Sequence, residues 1–176
     1  ESRILHQYEL GFKKNGKIKS KVSRDILFIE RNLDFLKPGG RMAIVLPQGL
    51  LNNPRDLDIR NFICEKARII AVIGLGINTF KPHTGTKTSV VILQKWDDKI
   101  CPYLEEYPIF FGVSNKSGKN NSGDYIYFGD NSEPILDKNG HLIVDHDLHS
   151  HNGELQKGIA EEFSEWRKNN KISFSK

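Results

Sequence analysis

Apolar residues gather in three short continuous runs, Met42 to Leu46, Ile69 to Leu75 and Ser89 to Leu93, with helical spacing before the first and between the first two. A continuous run, unlike a strict alternation, is the pattern of a strand covered on both faces by helices. Met42 to Leu46 is therefore expected as a central parallel strand. Ahead of it, Ile26, Ile29, Leu33 and Leu36 keep to one helical face, and Ser23 is a good N-cap for that helix. Leu36, Lys37, Pro38, Gly39 and Gly40 stop it, because proline cannot continue the hydrogen-bond ladder and glycine takes the left-handed angles of a chain reversal. Between the first two runs Leu57, Ile59, Phe62, Ile63 and Ala67 are spaced as an amphipathic helix, which makes a strand, helix, strand unit. The gap before the third run holds Pro82 and Gly85 and no helical pattern. A parallel partner needs a crossover of roughly 10 to 12 residues or more, usually a helix. The third strand is therefore expected to run antiparallel to the second.

Elsewhere the pattern is weaker. Residues 1 to 22 read as a lead-in with a short helix at Ile4 to Leu10. After Lys95 the composition changes, which suggests a boundary near residue 100 and three consecutive segments: 1–100, a β-rich extension over 101–151, and a C-terminal helix and tail over 152–176. Within the extension Ile109 to Val113 reads as a strand, Asn115 to Asp124 as a loop, Tyr125 to Phe128 as a strand pairing back in a hairpin, and Asn139-Gly140 as a turn. From Glu154 onward Leu155, Ile159, Phe163 and Trp166 recur at helical spacing, with Glu161, Glu165 and Lys168 on the polar side.

A mostly parallel α/β sheet that closes on one antiparallel strand is the ending of the S-adenosylmethionine-dependent methyltransferase fold. The strings SRDILFIERNLDFLKPGGRMAIVLPQGLLNN and IIAVIGLGINTFKPHTGTKTSVVILQK carry the comparison further. They resemble the modification subunit of type I restriction systems, the DNA adenine-N6 methyltransferases. The resemblance is most specific from Ser23 to Lys95 and extends more loosely through ILHQYELGFKK, IFFGVS, YIYF and HLIVDHDL. It implies the C-terminal half of a Rossmann-like methyltransferase sheet, α/β in class, ending in an antiparallel strand and followed by the β-rich extension and helix. It also implies a parent enzyme that moves a methyl group from S-adenosylmethionine to adenine N6 in double-stranded DNA. A specificity subunit and a restriction subunit are the implied partners.

Members of this family place a Gly-rich cofactor loop and an Asn-Pro-Pro-aromatic tetrapeptide ahead of the region seen here, and neither occurs in these 176 residues. Asn52-Asn53-Pro54-Arg55 has one proline and no aromatic, and reads as a helix start. Gly74 and Gly76 follow a strand without the helix and third glycine of a dinucleotide fingerprint. The chain also begins at Glu1, so it reads as a fragment from the C-terminal half of a longer subunit, inactive alone, with no catalytic and no cofactor-binding residue of its own. A fragment cut there leaves the strand Met42 to Leu46 without its partner on one side, and self-association is expected. The alternative reading is a noncatalytic nucleic-acid or protein interaction module that keeps this half of the fold. An upstream Gly-rich loop with Asn-Pro-Pro-Phe or Tyr separates the two.

Charge and cysteines narrow the picture only a little. A net charge of +4 is compatible with a nucleic-acid partner and decides nothing alone. Its distribution says more: Lys13, Lys14, Lys17, Lys19 and Lys21 cluster around Asn15 and Gly16, as a mobile phosphate-contacting loop or a solvated linker. Cys64 and Cys101 form no C-x-x-C pair and read as unpaired cytosolic thiols, and no run of about 18 apolar residues suggests a membrane span.

The exocyclic amine of adenine is a poor nucleophile buried in the duplex, so the base must be flipped out and held against an aromatic or apolar face. Phe80 is the candidate for that face, because the resemblance places such a residue in the loop between the last two strands. The other reading of Phe80 is a side chain that anchors the loop on the core. Thr84, Gly85, Thr86 and Lys87 offer hydroxyls, backbone amides and one cation for DNA or substrate contact, in an order that is not a P-loop. By resemblance Gln48, after the strand ending at Pro47, joins them. His141, His146, His149 and His151 with Asp145 and Asp147 match no zinc spacing, and no metal is expected there. An acidic run is frequent at the corresponding position of the family. Glu105 and Glu106 lack a partner base, which leaves acid-base catalysis unsupported.

Overall fold

The computed structural model describes residues 2–129, 135–151 and 157–172. They form a mixed α/β arrangement in two compact units that interleave along the chain: residues 1–70 with 92–107, and residues 71–91 with 108–176.

In the first unit the helical stripe becomes α2, Arg24–Phe35, after a short α1 at Ser2–Leu5. Ile29 and Leu33 on the stripe are 0% and 2% exposed. Ser23 stands at the N-cap in extended conformation without a side-chain bond to the helix. The same buried face carries Glu30, whose carboxylate accepts from the amides of Glu9 at 2.6 Å and Leu10 at 2.9 Å. Those bonds cap a 3₁₀ turn at Glu9–Gly11, so the helix expected over Ile4 to Leu10 is broken into α1 and this turn. The LKPGG stop is present: Gly39 takes φ 69° and the Gly40 amide bonds the Lys37 carbonyl. Lys95 finishes α2 from a distance, donating Nζ to the carbonyls of Leu33 and Leu36.

Strand β1 is Arg41–Pro47, followed by α3, Gln48–Asn52, and α4, Leu57–Lys66. Ahead of α4 a 3₁₀ turn begins at Pro54, and the Asn53 side chain accepts from the Arg55 amide, as the helix-start reading requires. Ile59, Phe62 and Ile63 bury the inner face of α4. Strand β2, Ala67–Gly74, and β3, Thr88–Lys95, then run in opposite directions. The Leu75 amide bonds Thr88 O and the Trp96 amide bonds Lys66 O, joining the end of one strand to the start of the other. The antiparallel third strand is thus as expected.

Strand order is β1-β3-β2-β4, with β4 at Phe110–Val113 parallel to β2 in the register Ala71 to Phe110 through Gly74 to Val113. Read from sequence as part of the extension, Ile109 to Val113 instead supplies the fourth strand of the sheet. The apolar run of β1 taken alone reads as a central strand covered on both faces, but the expectation that it lacks a partner on one side is the one met. β1 is an edge strand whose one neighbour among the described residues is β3. Leu46 is 2% exposed but Val45 is 47%, and Phe28 on α2 is 64% exposed. An open groove of about 500 Å³ lies here, lined by Arg24, Asp25, Phe28 and Asn32 of α2 and by strand residues 42–46. The apolar run is real, but no described residue covers one side of it.

In the second unit, beyond β4, the chain forms a hairpin in which Asn120 and Asp124 exchange a backbone bond and the Ile126 amide reaches Gly118 O. Isolated antiparallel bridges join Tyr127 to Val144 and Leu136 to Leu142, the latter closed by the Asn139-Gly140 turn with Gly140 at φ 81°. Helix α5 is Ile159–Asn169, and Glu154 and Leu155 of the expected helix lie outside the described residues. Phe163 and Trp166 of α5 set their rings against Phe110 at 5.3 and 5.6 Å.

Candidate functional site

The connection from β2 to β3 carries Phe80, Thr84, Thr86 and Lys87, and it is built as successive turns rather than an open loop. Thr79 bonds the Gly76 carbonyl through both its amide and its hydroxyl, the Lys81 amide reaches Asn78 O, and the Thr84 amide reaches Phe80 O. Thr84 Oγ1 then accepts from the Thr86 amide at 3.1 Å and donates to Thr86 Oγ1 at 3.0 Å. The two hydroxyls therefore hold the local turn, and Lys87 beside them is exposed.

This connection is braced from the 118–126 hairpin. Asn78 Nδ2 donates to Lys119 O and Asn121 Oδ1, and Lys119 Nζ donates to Lys81 O at 2.8 Å. Gly123, at φ 100°, approaches so closely that an added Cβ would stand 2.6 Å from Pro82 N. Phe80 rides on this braced turn at 38% exposure, short of the burial that a core anchor would show.

In the first unit the lysine segment is a hydrogen-bonded hairpin and not an unstructured linker. Lys13 N bonds Lys17 O, Lys19 N bonds Gly11 O, and Phe12 pairs with Ile18 across it. Gly16 at φ 75° and the Asn15 side chain make the turn, so Lys13, Lys14 and Lys17 project from one tip, exposed. Lys14 spends its charge on Asp58 at 3.0 Å. Gln48 opens α3 and is half-buried.

Cys64 and Cys101 are unpaired, and burial pushes both thiols up, so neither is a ready thiolate nucleophile. Glu105 and Glu106 are exposed.

The six-residue His/Asp set divides into four parts. His141 Nδ1 lies 3.4 Å from Asp137, within its own turn. Asp145 faces Lys116 Nζ at 3.0 Å. Asp147 takes the Ser114 hydroxyl at 2.6 Å and the amides of Asn115 and Lys116 at 2.7 and 3.1 Å. Burial pulls the Asp147 carboxyl upward, yet these bonds outweigh it and hold it below the ordinary aspartate range. The remaining three imidazoles, His146, His149 and His151, come together, a convergence that their spacing in the sequence does not announce.

With that geometry in view, comparison with known proteins gives one family. The N-6 DNA methylase family model matches residues 5–171. The type I restriction enzyme EcoEI methylase subunit of Escherichia coli is 29% identical over 112 residues, which cover 62% of this chain and 23% of that subunit. The chain therefore spans about a quarter of the length of this curated relative. A protein of Listeria monocytogenes assigned to the class I S-adenosylmethionine-dependent methyltransferases has the same fold over 64% of this chain and 32% of its own, at TM-score 0.51 and 21% identity. The type I restriction enzyme EcoKI M protein aligns over 45% of this chain and 18% of its own at 28% identity and TM-score 0.39.

Proposed function

The chain belongs to the N-6 DNA methylase family, and from that premise we propose that it is the C-terminal part of the catalytic domain of a type I DNA adenine-N6 methyltransferase subunit. The observation that carries this reading is the strand order β1-β3-β2, with the antiparallel β3 inserted between the two strands that flank α4. The parent transfers a methyl group from S-adenosylmethionine to adenine N6 in double-stranded DNA. It works in the cytoplasm with a specificity subunit that selects the sequence and a restriction subunit that cuts.

The residues present do not make a cradle for S-adenosylmethionine, since the sequence holds neither a Gly-rich strand-to-helix loop nor the Asn-Pro-Pro-aromatic tetrapeptide. No step is assigned to the cofactor on this chain. Its own contribution is to the DNA. Phe80, partly exposed on a braced turn, stacks on the flipped adenine. The Lys87 charge and the Lys13 and Lys17 ammonium groups meet phosphate, as sequence-independent contacts that set position rather than specificity. Thr84 and Thr86 supply polar contacts near the substrate, and Gln48, in the other compact unit, is a separate candidate for a polar contact to DNA.

The test uses the intact subunit, duplex DNA and labelled S-adenosylmethionine. Phe80→Ala should lower methyl transfer about 5- to 150-fold, the range of one lost stacking contact of roughly 1 to 3 kcal/mol, while cofactor affinity holds. Equal losses in both would return Phe80 to a structural role. Calorimetry on the isolated chain should show no micromolar binding of S-adenosylmethionine. The open side of β1 should make this isolated chain self-associate in light scattering, and Val45→Lys on the exposed strand position should suppress it. A stable monomer at high concentration would oppose that part of the reading.

A further inference from the structure

His146, His149 and His151 each place one ring nitrogen within 4.8 Å of the other two. Their ring centroids are separated by 4.5, 4.9 and 5.0 Å. Three imidazoles rarely crowd together without a purpose, since each is a polar ring that wants a partner and any two protonated ones repel.

We propose that His146, His149 and His151 bind one divalent transition-metal ion, with zinc the best-matched probe, through three nitrogens and a fourth position left open. All-imidazole donor sets suit zinc, copper and nickel, and three histidines with a free fourth position are an established zinc arrangement.

The ring nitrogens are prepared for it. His149 Nδ1 lies 3.1 Å from the Ser150 carbonyl, so its proton belongs on Nδ1 and Nε2 keeps a lone pair, the outer contact that metal-bound histidines generally make. Nε2 of His151 is buried with no hydrogen-bond partner among the described residues, so the tautomer that turns a lone pair toward an ion gives up no bond there. His146, half-buried, brings its ring to 4.5 Å from that of His149 and 4.9 Å from that of His151. Its Nδ1 accepts weakly from the Leu148 amide at 3.3 Å, and coordination through either nitrogen gives up that bond. The nearby carboxylates do not compete, because Asp145 and Asp147 are committed to Lys116 and to the 114–116 segment.

The turn itself is fixed. Ile159 and Ala160 amides bond the carbonyls of Asp147 and Leu148, and Glu161 Oε2 accepts from both Ser150 and Gly158. Bonds of about 2.0 to 2.1 Å to a tetrahedral ion place its nitrogens roughly 3.4 Å apart. The imidazoles need to close by up to about 1.4 Å, a side-chain rotation that leaves this backbone in place.

The experiment is calorimetry with zinc chloride on the metal-stripped chain, paired with elemental analysis after gel filtration. One zinc per chain should bind at micromolar affinity or better, and the melting temperature should rise with zinc. His149→Gln, at an exposed position where folding is not at risk, and His151→Gln should each weaken binding about 100-fold or more. His141→Gln, in the separate Asp137 turn, should leave it unchanged. X-ray absorption on the zinc-loaded chain should show imidazole scattering. No saturable binding by the parent chain, undiminished binding in His149→Gln, or equal loss in His141→Gln would each overturn the site. Circular dichroism on every variant separates lost ligands from lost structure.

Discussion

In the first compact unit the side chains Ile29, Leu33, Ile70 and Leu93 are nearly or fully removed from water, and they come from a helix and two strands whose apolar periodicity is plain in the chain. In the second unit the segments between β4 and α5 are shaped mainly by polar side chains that close turns onto backbone amides: Asn120, Asp137, Asp147 and Glu161. One region is specified by how apolar groups repeat, the other by where single carboxylates and amides fall. The difference explains why the first reads as an ordinary sheet edge while the second collects unusual groupings such as the three histidines.

Substitutions can break that contrast. The largest effect is expected in the apolar unit: Leu33→Ala, which empties a site 2% exposed, should cost about 2 to 5 kcal/mol in urea unfolding. A loss under about 1 kcal/mol would mean that the first unit is less dependent on packing than its burial implies. Next comes Asp147→Ala in the polar unit, which strands the Ser114 hydroxyl and two amides and should cost about 1 to 3 kcal/mol. Asp147→Asn, which keeps one acceptor oxygen, should cost visibly less in the same unfolding series. Gly140→Ala is a smaller probe, since nothing lies within 4 Å of the added carbon and the only cost is the left-handed φ of 81°. About 1 kcal/mol is expected, and Gly140→Asn should recover part of it.

The smallest effect sharpens the electrostatic side. The Asp137 carboxyl is held below its ordinary value chiefly by the His141 amide, with Asn139 and the His141 ring adding to it. A depressed aspartate stabilises the fold at every pH above its unfolded range and loses that contribution as pH falls through the folded value. Carbon-detected NMR should follow Asp137 titrating below a model aspartate, with the 135–142 turn loosening over the same interval. His141→Ala should move the midpoint partway back, because the amide bonds remain.

Much of the first unit was legible in advance. The stripe of α2, the glycine stop, the Asn53-Pro54 start of α4 and the opposed directions of β2 and β3 all follow from periodicity, turn chemistry and connection length. The open side of β1 was legible only through the family resemblance, because an apolar run says that a strand can be covered and not that something covers it. Glu30 was missed for a related reason: a carboxylate on a buried stripe makes sense only once the amides of Glu9 and Leu10, 21 and 20 residues away, are known to point at it. In the second unit the two hairpin turns were visible from their Gly and Asn residues. The gathering of His146, His149 and His151 was not, since the turn that produces it is drawn together by Asp147 and Glu161 through partners 33 and 11 residues distant. Sequence reasoning did single out Phe80, but the brace from Lys119 and Gly123 that fixes its turn left no local signal.

The close approach of Gly123 to Pro82 has a bearing on how relatives of this chain can vary. Position 123 is closed to other residues twice over, by a φ of 100° that L side chains avoid and by the 2.6 Å that would separate a new Cβ from the proline nitrogen. Each barrier removes a different kind of escape, one through conformation and one through space. Since the nitrogen of residue 82 and the carbonyl carbon of Lys81 are backbone atoms, no change of side chain at 82 opens the space, and substitution at 123 has to wait for a redrawn hairpin. Homologues that keep this hairpin against the turn should therefore keep glycine at 123, whatever residue stands at 82.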